Sequence, residues 1–426
     1  MKFENTLEFA LHLDNKDPLK TFRDKFHFPN FHEKKIRYFT GNSLGLQPRK
    51  AAEYIQDELN DWAKFAVEGH FYAKRPWYSY HENLCELTAK IVGAKPIEVV
   101  VTHSLTTNLH LLLVSFYRPQ GKRTKIICEA KAFPSDQYVL ESQVNFHGLP
   151  QDNIIEVAPR EGEELIHLED ILSKIQEVGD ELALVMIGGV NYYTGQLFDM
   201  QEITVAAHNV GAIAGFDLAH AAGNVNLHLH DWNVDFAAWC GYKYLNSSPG
   251  GVSGIFIHER HANDSSLPRF AGWWGHNKTA RFQMEKGFQP IAGAEGWQLS
   301  NAPVLGMAAH LAALEIFEEA GMNRIGEKRD LITSYLEFII DTISEKNKKK
   351  CSFELITPRD KKQRGAQLSI KINGHGTAFF KHITEQGVIA DWREPNVIRL
   401  APVPLYTSYE DCFFLGQIIE QTLLLL

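Results

Sequence analysis

An α/β fold built on a mostly parallel sheet, followed by a smaller α+β unit, is the architecture this sequence predicts. Two patterns predict it. Through the middle of the chain, short β-rich apolar runs alternate with segments of helical period, the arrangement that layers helices on a parallel sheet. Past residue 300 that alternation stops, and two long helical stretches precede two strand-like runs.

In chain order, "MKFENTLEFALHLDNKDPLK" mixes acids into its apolar positions and lacks the apolar centre of a secretory leader. At 102–113, "THSLTTNLHLLL" is a Ser/Thr-rich turn running into an apolar helix. "TKIICEA" (124–130), "NIIEVAP" (153–159), "LALVMIGGV" (182–190), "AIAGFDL" (212–218), "VDFAAWC" (234–240) and "GVSGIFIH" (251–258) read as strands. Between several of them lie "HLEDILSKIQEVG" and "MQEITVAAHNVG", helical in period and ending on glycine. "NAPVLGMAAHLAALEIFEEAG" is a long amphipathic helix with a glycine stop, a second helix is expected over 328–346, and "AQLSIKI" and "VIRLAPV" read as strands. The expected division is an N-terminal segment (1–65) packed with the small domain, a large domain (66–305) and a small C-terminal domain (306–426).

Composition narrows the function. With 426 residues and 44% apolar content the chain can bury a large core, and a net charge of −9 argues against a nucleic-acid partner. The one basic cluster, "SEKNKKK" at 344–350, reads as a solvated loop or helix end. Five scattered cysteines with no CxxC spacing fit a reduced cytoplasmic protein rather than a disulfide or zinc scaffold. No segment has the apolar length of a membrane span.

Three features carry chemistry. Lys243, in "DFAAWCGYKYLNSS", follows a run apolar enough to be a buried strand. It is either a lysine whose stem reaches past the strand to water or an amine kept dry for use as a nucleophile. Asp217 ends "AIAGFD", 26 residues earlier, and in isolation could equally be a helix cap. A lysine and a carboxylate on nearby strand ends are what pyridoxal 5′-phosphate (PLP) needs: the amine forms a Schiff base with the aldehyde, and the carboxylate keeps the pyridine nitrogen protonated so that the ring can accept electrons. The turn at 102–113 would suit a phosphate, although many helices simply begin with such caps. A competing group, His220, His228 and His230 with Asp217, Asp231 and Asp235, has no metal-binding spacing, so no metal is expected and the alternating histidines read as one exposed face.

Further stretches make a resemblance specific. "YFTGNSLGLQP", "EGHFYAKRPW", "LTTNLHLLL", "EAKAFPSDQY", "YYTGQLFD", "FDLAHAAGNVNLHLHDWNVDFAAWCGYKYLN", "GWWGH", "LSNAP" and "IRLAPVPLY", spread over residues 38–408, resemble kynureninases, PLP enzymes of the aminotransferase fold. That resemblance implies a PLP-dependent transferase-like large domain with a small C-terminal domain. It implies hydrolysis of L-kynurenine or 3-hydroxy-L-kynurenine to L-alanine and anthranilate or 3-hydroxyanthranilate, in tryptophan catabolism or in quinolinate supply for NAD synthesis. Lys243 would be the Schiff-base lysine, Asp217 the pyridine partner and His220 a neighbour of the ring. Leu105 and Thr106 would line the phosphate end, and Phe133, Pro134, Ser135 and Asp136 ("FPSD") would cover and orient the ring.

The same resemblance has Tyr242 and Trp273 bond the phosphate, Trp273 and Asn301 reach across a homodimer interface, and Arg399 grip the substrate carboxylate. Tyr242 is also the expected acid/base at the carbonyl. His70, Ser300 and Asn301 match the form of the family that favours the 3-hydroxylated substrate. Gly188 stands where many relatives carry serine, so a side-chain contact to the cofactor is replaced by backbone. The rival readings are another PLP enzyme of this fold, an aminotransferase or a cysteine desulfurase using Cys351, and a catalytically silent scaffold.

Overall fold

Runs such as Leu182–Gly188 and Phe236–Cys240 offer no polar face, so they are stable only in a sheet covered on both sides. The structure, a computed structural model, describes the chain except residues 1, 31–33, 263, 348–351, 375 and 426. In chain order its strands are β1 (Arg37–Tyr38), β2 (Val99–Val101), β3 (Lys125–Glu129), β4 (Ile154–Val157), β5 (Leu182–Gly188), β6 (Ile213–Asp217), β7 (Phe236–Cys240) and β8 (Ser253–Ile257), then β9 (Ser352–Leu355), β10 (Leu368–Asn373), β11 (Val388–Ile389), β12 (Asp391–Arg393) and β13 (Val397–Leu400).

Seven of them form one sheet in the order β2-β8-β7-β6-β5-β3-β4. The run β4, β3, β5, β6, β7 is parallel, and β8 is antiparallel to both β7 and β2. Side chains alternate across it. Val185, Ile187, Ala237 and Trp239 enter one apolar layer, closed by helices Leu168–Val178, Met200–Asn209 and Val304–Ala320. Leu184, Met186, Phe236 and Ala238 enter the other, closed by Leu105–Phe116 and Pro134–Phe146. Each Val, Leu, Ile, Met or Phe side chain among them contributes about 1.5–3 kcal/mol by leaving water.

The smaller C-terminal unit is an antiparallel sheet, β12-β13-β10-β9, backed by helices Met322–Asn347, Gly376–Glu385 and Tyr409–Leu425. The N-terminus joins it. β1 pairs in parallel with β11, and Asp14 accepts the Tyr409 and Glu410 N–H groups at 2.8 and 2.9 Å, capping the last helix with a carboxylate. Helix Lys50–Phe65 instead lies on Val304–Ala320, with Ala51 against Ala309 and Ala312 and the Tyr54 hydroxyl donating to Glu315 at 2.7 Å.

Several elements differ from expectation. The helix expected over 328–346 begins at Met322, directly after Gly321, because Ile325 is already a core residue and no Ser/Thr cap marks the start. The expected strands at 153–159 and 251–258 are trimmed at their ends, where the polypeptide leaves the ladder. In "SEKNKKK" the helix runs to Asn347, and the last three lysines lie outside the described residues, as does Cys351. The four described cysteines are free thiols. No helix among the described residues is long and apolar enough to cross a membrane.

Candidate active site

Four neighbouring strands end at one place. Glu129 closes β3, Gly188 closes β5, Asp217 closes β6, and Lys243 comes three residues after the end of β7. Ligands in open α/β sheets bind at such carboxyl ends. A cavity of about 150 Å³ opens there.

Lys243 is 8% exposed and sits in a turn that returns on itself, Asn246 N–H bonding the Lys243 carbonyl and Ser247 N–H the Gly241 carbonyl. Asn246 takes a left-handed φ of 53°, a conformation that asparagine tolerates better than most residues. Gly45, from "GNSLG", donates its N–H to the Tyr242 carbonyl at 2.8 Å, and a Cβ at this position would lie 2.4 Å from the Lys243 carbonyl oxygen. Only glycine lets the two loops approach so closely. The Lys243 Nζ is 3.0 Å from His220 Nε2 and 5.6 Å from the centre of the Phe133 ring. Burial, then the Lys243 charge, holds the His220 imidazole well below its usual range, so it is neutral, and its buried Nδ1 has no partner.

Asp217 accepts the Ala219 N–H at 2.7 Å. Burial raises its carboxyl, while Asp136 and the Lys243 charge pull it back. Asp136 is pushed well above the ordinary carboxylate range by burial and then by the Asp217 charge, so of this pair Asp136 keeps the proton and Asp217 the charge. Opposite them, Ser104, Leu105 and Thr106 line the cavity at the start of helix Leu105–Phe116, whose first turn carries no side-chain cap and leaves N–H groups for an anion.

Of the residues expected at the cofactor, Leu105, Thr106, Phe133, Ser135, Asp136, Gly188, Asp217, His220, Tyr242 and Lys243 line this one cavity. Pro134 is the first residue of its helix and does not line the cavity. Trp273 is 43% exposed, its indole N–H on the Arg281 carbonyl, and Ser300 and Asn301 are exposed as well; none of the three lines the cavity. His70 packs edge-on against Trp77. Arg399, on β13, is 1% exposed, donating to the Tyr192 carbonyl at 2.6 Å and to Asp391.

The expectation of one exposed histidine face is corrected. Of the two alternating histidines only His228 is exposed; His230 bonds Glu98 at 2.9 Å with its ring stacked on His258. Glu98 also accepts the Glu259 N–H, and its carboxyl lies 3.8 Å from His258 Nδ1, so one buried acid holds this histidine pair. The nearby Asp235 is buried and bonded to His208 and His261. His208 and His261 tie two helices to that carboxylate.

Sequence reasoning missed Glu129, Val190, Tyr192 and Ala219 as lining residues. Glu129 carries the same signal that found Asp217, an acid ending an otherwise apolar strand ("KIICE" beside "IAGFD"). Tyr192 is set by its contact with the Phe133 ring, centroids 5.2 Å apart, which spacing along the chain does not reveal.

The cavity suits PLP. It joins an amine, a buried carboxylate, uncapped helix amides and an aromatic wall, and the unpartnered His220 Nδ1 and Asp136 Oδ1 await a polar group. Comparison with known proteins is consistent with that fit. The family model for the kynureninase C-terminal domain matches residues 328–419. Kynureninases from Flavobacterium psychrophilum and Flavobacterium johnsoniae are each 60% identical to this chain, covering 100% of both sequences. The Nematostella vectensis kynureninase is 48% identical over 95% of this chain and 91% of its own length. Among solved structures, C-DES with glycine covalently linked to its PLP cofactor superposes with a TM-score of 0.77 at 16% identity, covering 92% of this chain and 100% of its own. A cysteine desulfurase from Thermococcus onnurineus gives 0.74 at 18% identity, covering 92% and 95%. At such identities the solved structures speak for the fold alone.

Proposed function

Because the chain belongs to the kynureninase family and is a PLP-dependent hydrolase of carbon–carbon bonds in ketonic substances, we infer that the strand-end cavity is where kynurenine is cleaved to alanine and an aryl acid. One observation carries the assignment: Lys243, Asp217 and the uncapped helix start at Leu105 face one buried space. Bound PLP supplies an aldehyde that captures amines and a pyridinium ring that accepts electrons from the substrate Cα.

The chain's residues do the rest. Lys243 would hold the cofactor's aldehyde carbon and its free amine would move the proton at the substrate Cα, with neutral His220, 3.0 Å from Nζ, as the acceptor that aims it. Asp217 holds the pyridine nitrogen protonated. Leu105, Thr106 and Tyr242 hold the phosphate, and Phe133 with Asp136 covers and orients the ring. Arg399, fixed by the Tyr192 carbonyl and by Asp391, grips the substrate carboxylate. Water adds to the γ-carbonyl and its oxygen becomes part of the aryl acid; as the Cβ–Cγ bond then breaks, its electron pair stays on Cβ, and Tyr242, whose hydroxyl burial keeps protonated, supplies the proton that Cβ takes up. Replacing Lys243 with Ala is expected to abolish the visible absorbance of bound cofactor and to lower turnover about a thousandfold or more. A yellow, fully active Lys243→Ala protein overturns the assignment.

The favoured substrate is 3-hydroxykynurenine, and the working form is a homodimer. Exposed Phe71, Trp273 and Phe282 form an aromatic surface with Tyr78 that supports a second copy, which would bring its Trp273 and Asn301 to the cavity. His70, Ser300 and Asn301 offer polar groups to a ring hydroxyl, and a site built to bond a hydroxyl discriminates strongly against its absence. The wild type is expected to show a higher kcat/KM for 3-hydroxykynurenine than for kynurenine, and Asn301→Thr to shrink that ratio. A native preference for the unhydroxylated substrate overturns this reading.

A further inference from the structure

A third acid stands in the cavity with no role assigned to it. Glu129 is 4% exposed and lines the pocket one strand beyond Gly188 from Asp217. Both of its carboxyl oxygens lie within reach of the Gly188 N–H, at 3.1 and 3.3 Å. No cation pairs with it in any described ion pair, although a buried carboxylate ordinarily needs such a partner. A Cβ at position 188 would lie 3.0 Å from Glu129 Oε1, so the absence of a side chain there is what leaves room for the acid.

We propose that Glu129 is a positioning residue for the reaction: anchored on the Gly188 N–H beside Asp217, it sets, by carrying or lacking its negative charge, how firmly the site holds a cationic pyridine ring. The inference rests on the reading that Asp217 faces the pyridine nitrogen. Burial pushes the Glu129 carboxyl up to about 7, with the charges of Asp217 and Glu156 adding to the rise against two backbone N–H bonds. The ionisable groups facing it are Asp217 from β6, Glu156 from β4, Asp136 from the helix after β3 and Cys128 on its own strand, with Lys243, His220, Tyr192 and Tyr242 on the same cavity; β5 offers only the Gly188 amide. Near neutral pH the cluster therefore gains or loses a charge at Glu129. Ionised Glu129 favours protonated, cationic forms of the bound ring, and neutral Glu129 withdraws that support.

The test uses holoenzyme. Glu129→Gln keeps an oxygen for the Gly188 N–H and removes the charge, so a merely structural role is preserved. Expected are a downward shift, by about half a unit or more, in the pH midpoint of the bound cofactor's absorbance change, and a several-fold rise in the PLP dissociation constant. A midpoint and dissociation constant equal to wild type overturn the proposal. If Glu129→Gln does not fold, Gly188→Ala presses a methyl against the same carboxyl and must move the midpoint; an unmoved midpoint overturns it. Asp217→Asn separates the two ideas: if it leaves the spectrum unchanged, the pyridine-nitrogen reading itself fails, whereas a spectrum lost in Asp217→Asn and untouched in Glu129→Gln refutes the role of Glu129 alone.

Discussion

Arg399 shows how much a single side chain is committed before any substrate arrives. One terminal nitrogen donates to the Tyr192 carbonyl, the other to Asp391 directly across the ladder, and the buried Nε has no partner. Asp391 is shared with Arg393 at 3.2 Å, so one carboxylate steadies two guanidinium groups. A lysine at 399 has the charge but not the fork. Arg399→Lys is expected to raise KM about tenfold or more with a smaller change in kcat, because it weakens carboxylate binding rather than the proton transfers at Lys243. Steady-state kinetics at matched cofactor saturation check it. At this scale the sequence was informative wherever a residue was out of place for its surroundings, as Lys243 and Asp217 are after apolar runs. It was uninformative for Tyr192, which works through its carbonyl and its ring contact, and for Asp391, whose partner is set by strand register.

Elements are held in place by buried charge as well as by apolar layers. Asp235, just before β7, accepts the Ala214 N–H and bonds His208, His261 and Arg260, tying β6 and two helices to one carboxylate. Burial alone would raise this acid; the His208 and His261 bonds and the Arg260 charge outweigh it and hold it well below its ordinary value of 3.8. A carboxylate depressed in the folded state contributes stability that is fully present above that ordinary value and is lost as pH falls through the folded value. Asp235→Asn is therefore expected to cost about 3 kcal/mol at pH 7. The gap to wild type should narrow as pH drops below about 4, read from urea unfolding at a series of pH values. The parallel strands and the long helices were legible because apolar runs and helical period are local. The antiparallel placement of β8 and the short strand β2 were not, since both depend on which neighbour a strand finds. The histidines of "NLHLHDW" misled for a related reason: what buries His230 is Glu98, far away in sequence.

Across the whole molecule, the division into a parallel α/β unit and an antiparallel one followed from the change of pattern past residue 300, whereas the individual contacts by which the N-terminal segment meets the small unit did not. Its first helix caps the last helix of the chain, β1 adds to β11, and a buried Asp17–Lys328 pair at 2.6 Å fastens the two further. Partners about 350 residues apart must wait for each other. The earlier-made partner must thus wait for the later one before it settles. Until the C-terminal unit has been made, Ala10, Leu13 and Phe39 have no apolar cluster to enter, and the emerging chain carries them exposed. Removing helix Tyr409–Leu425 is consequently expected to unsettle helix Leu7–Lys16 as well.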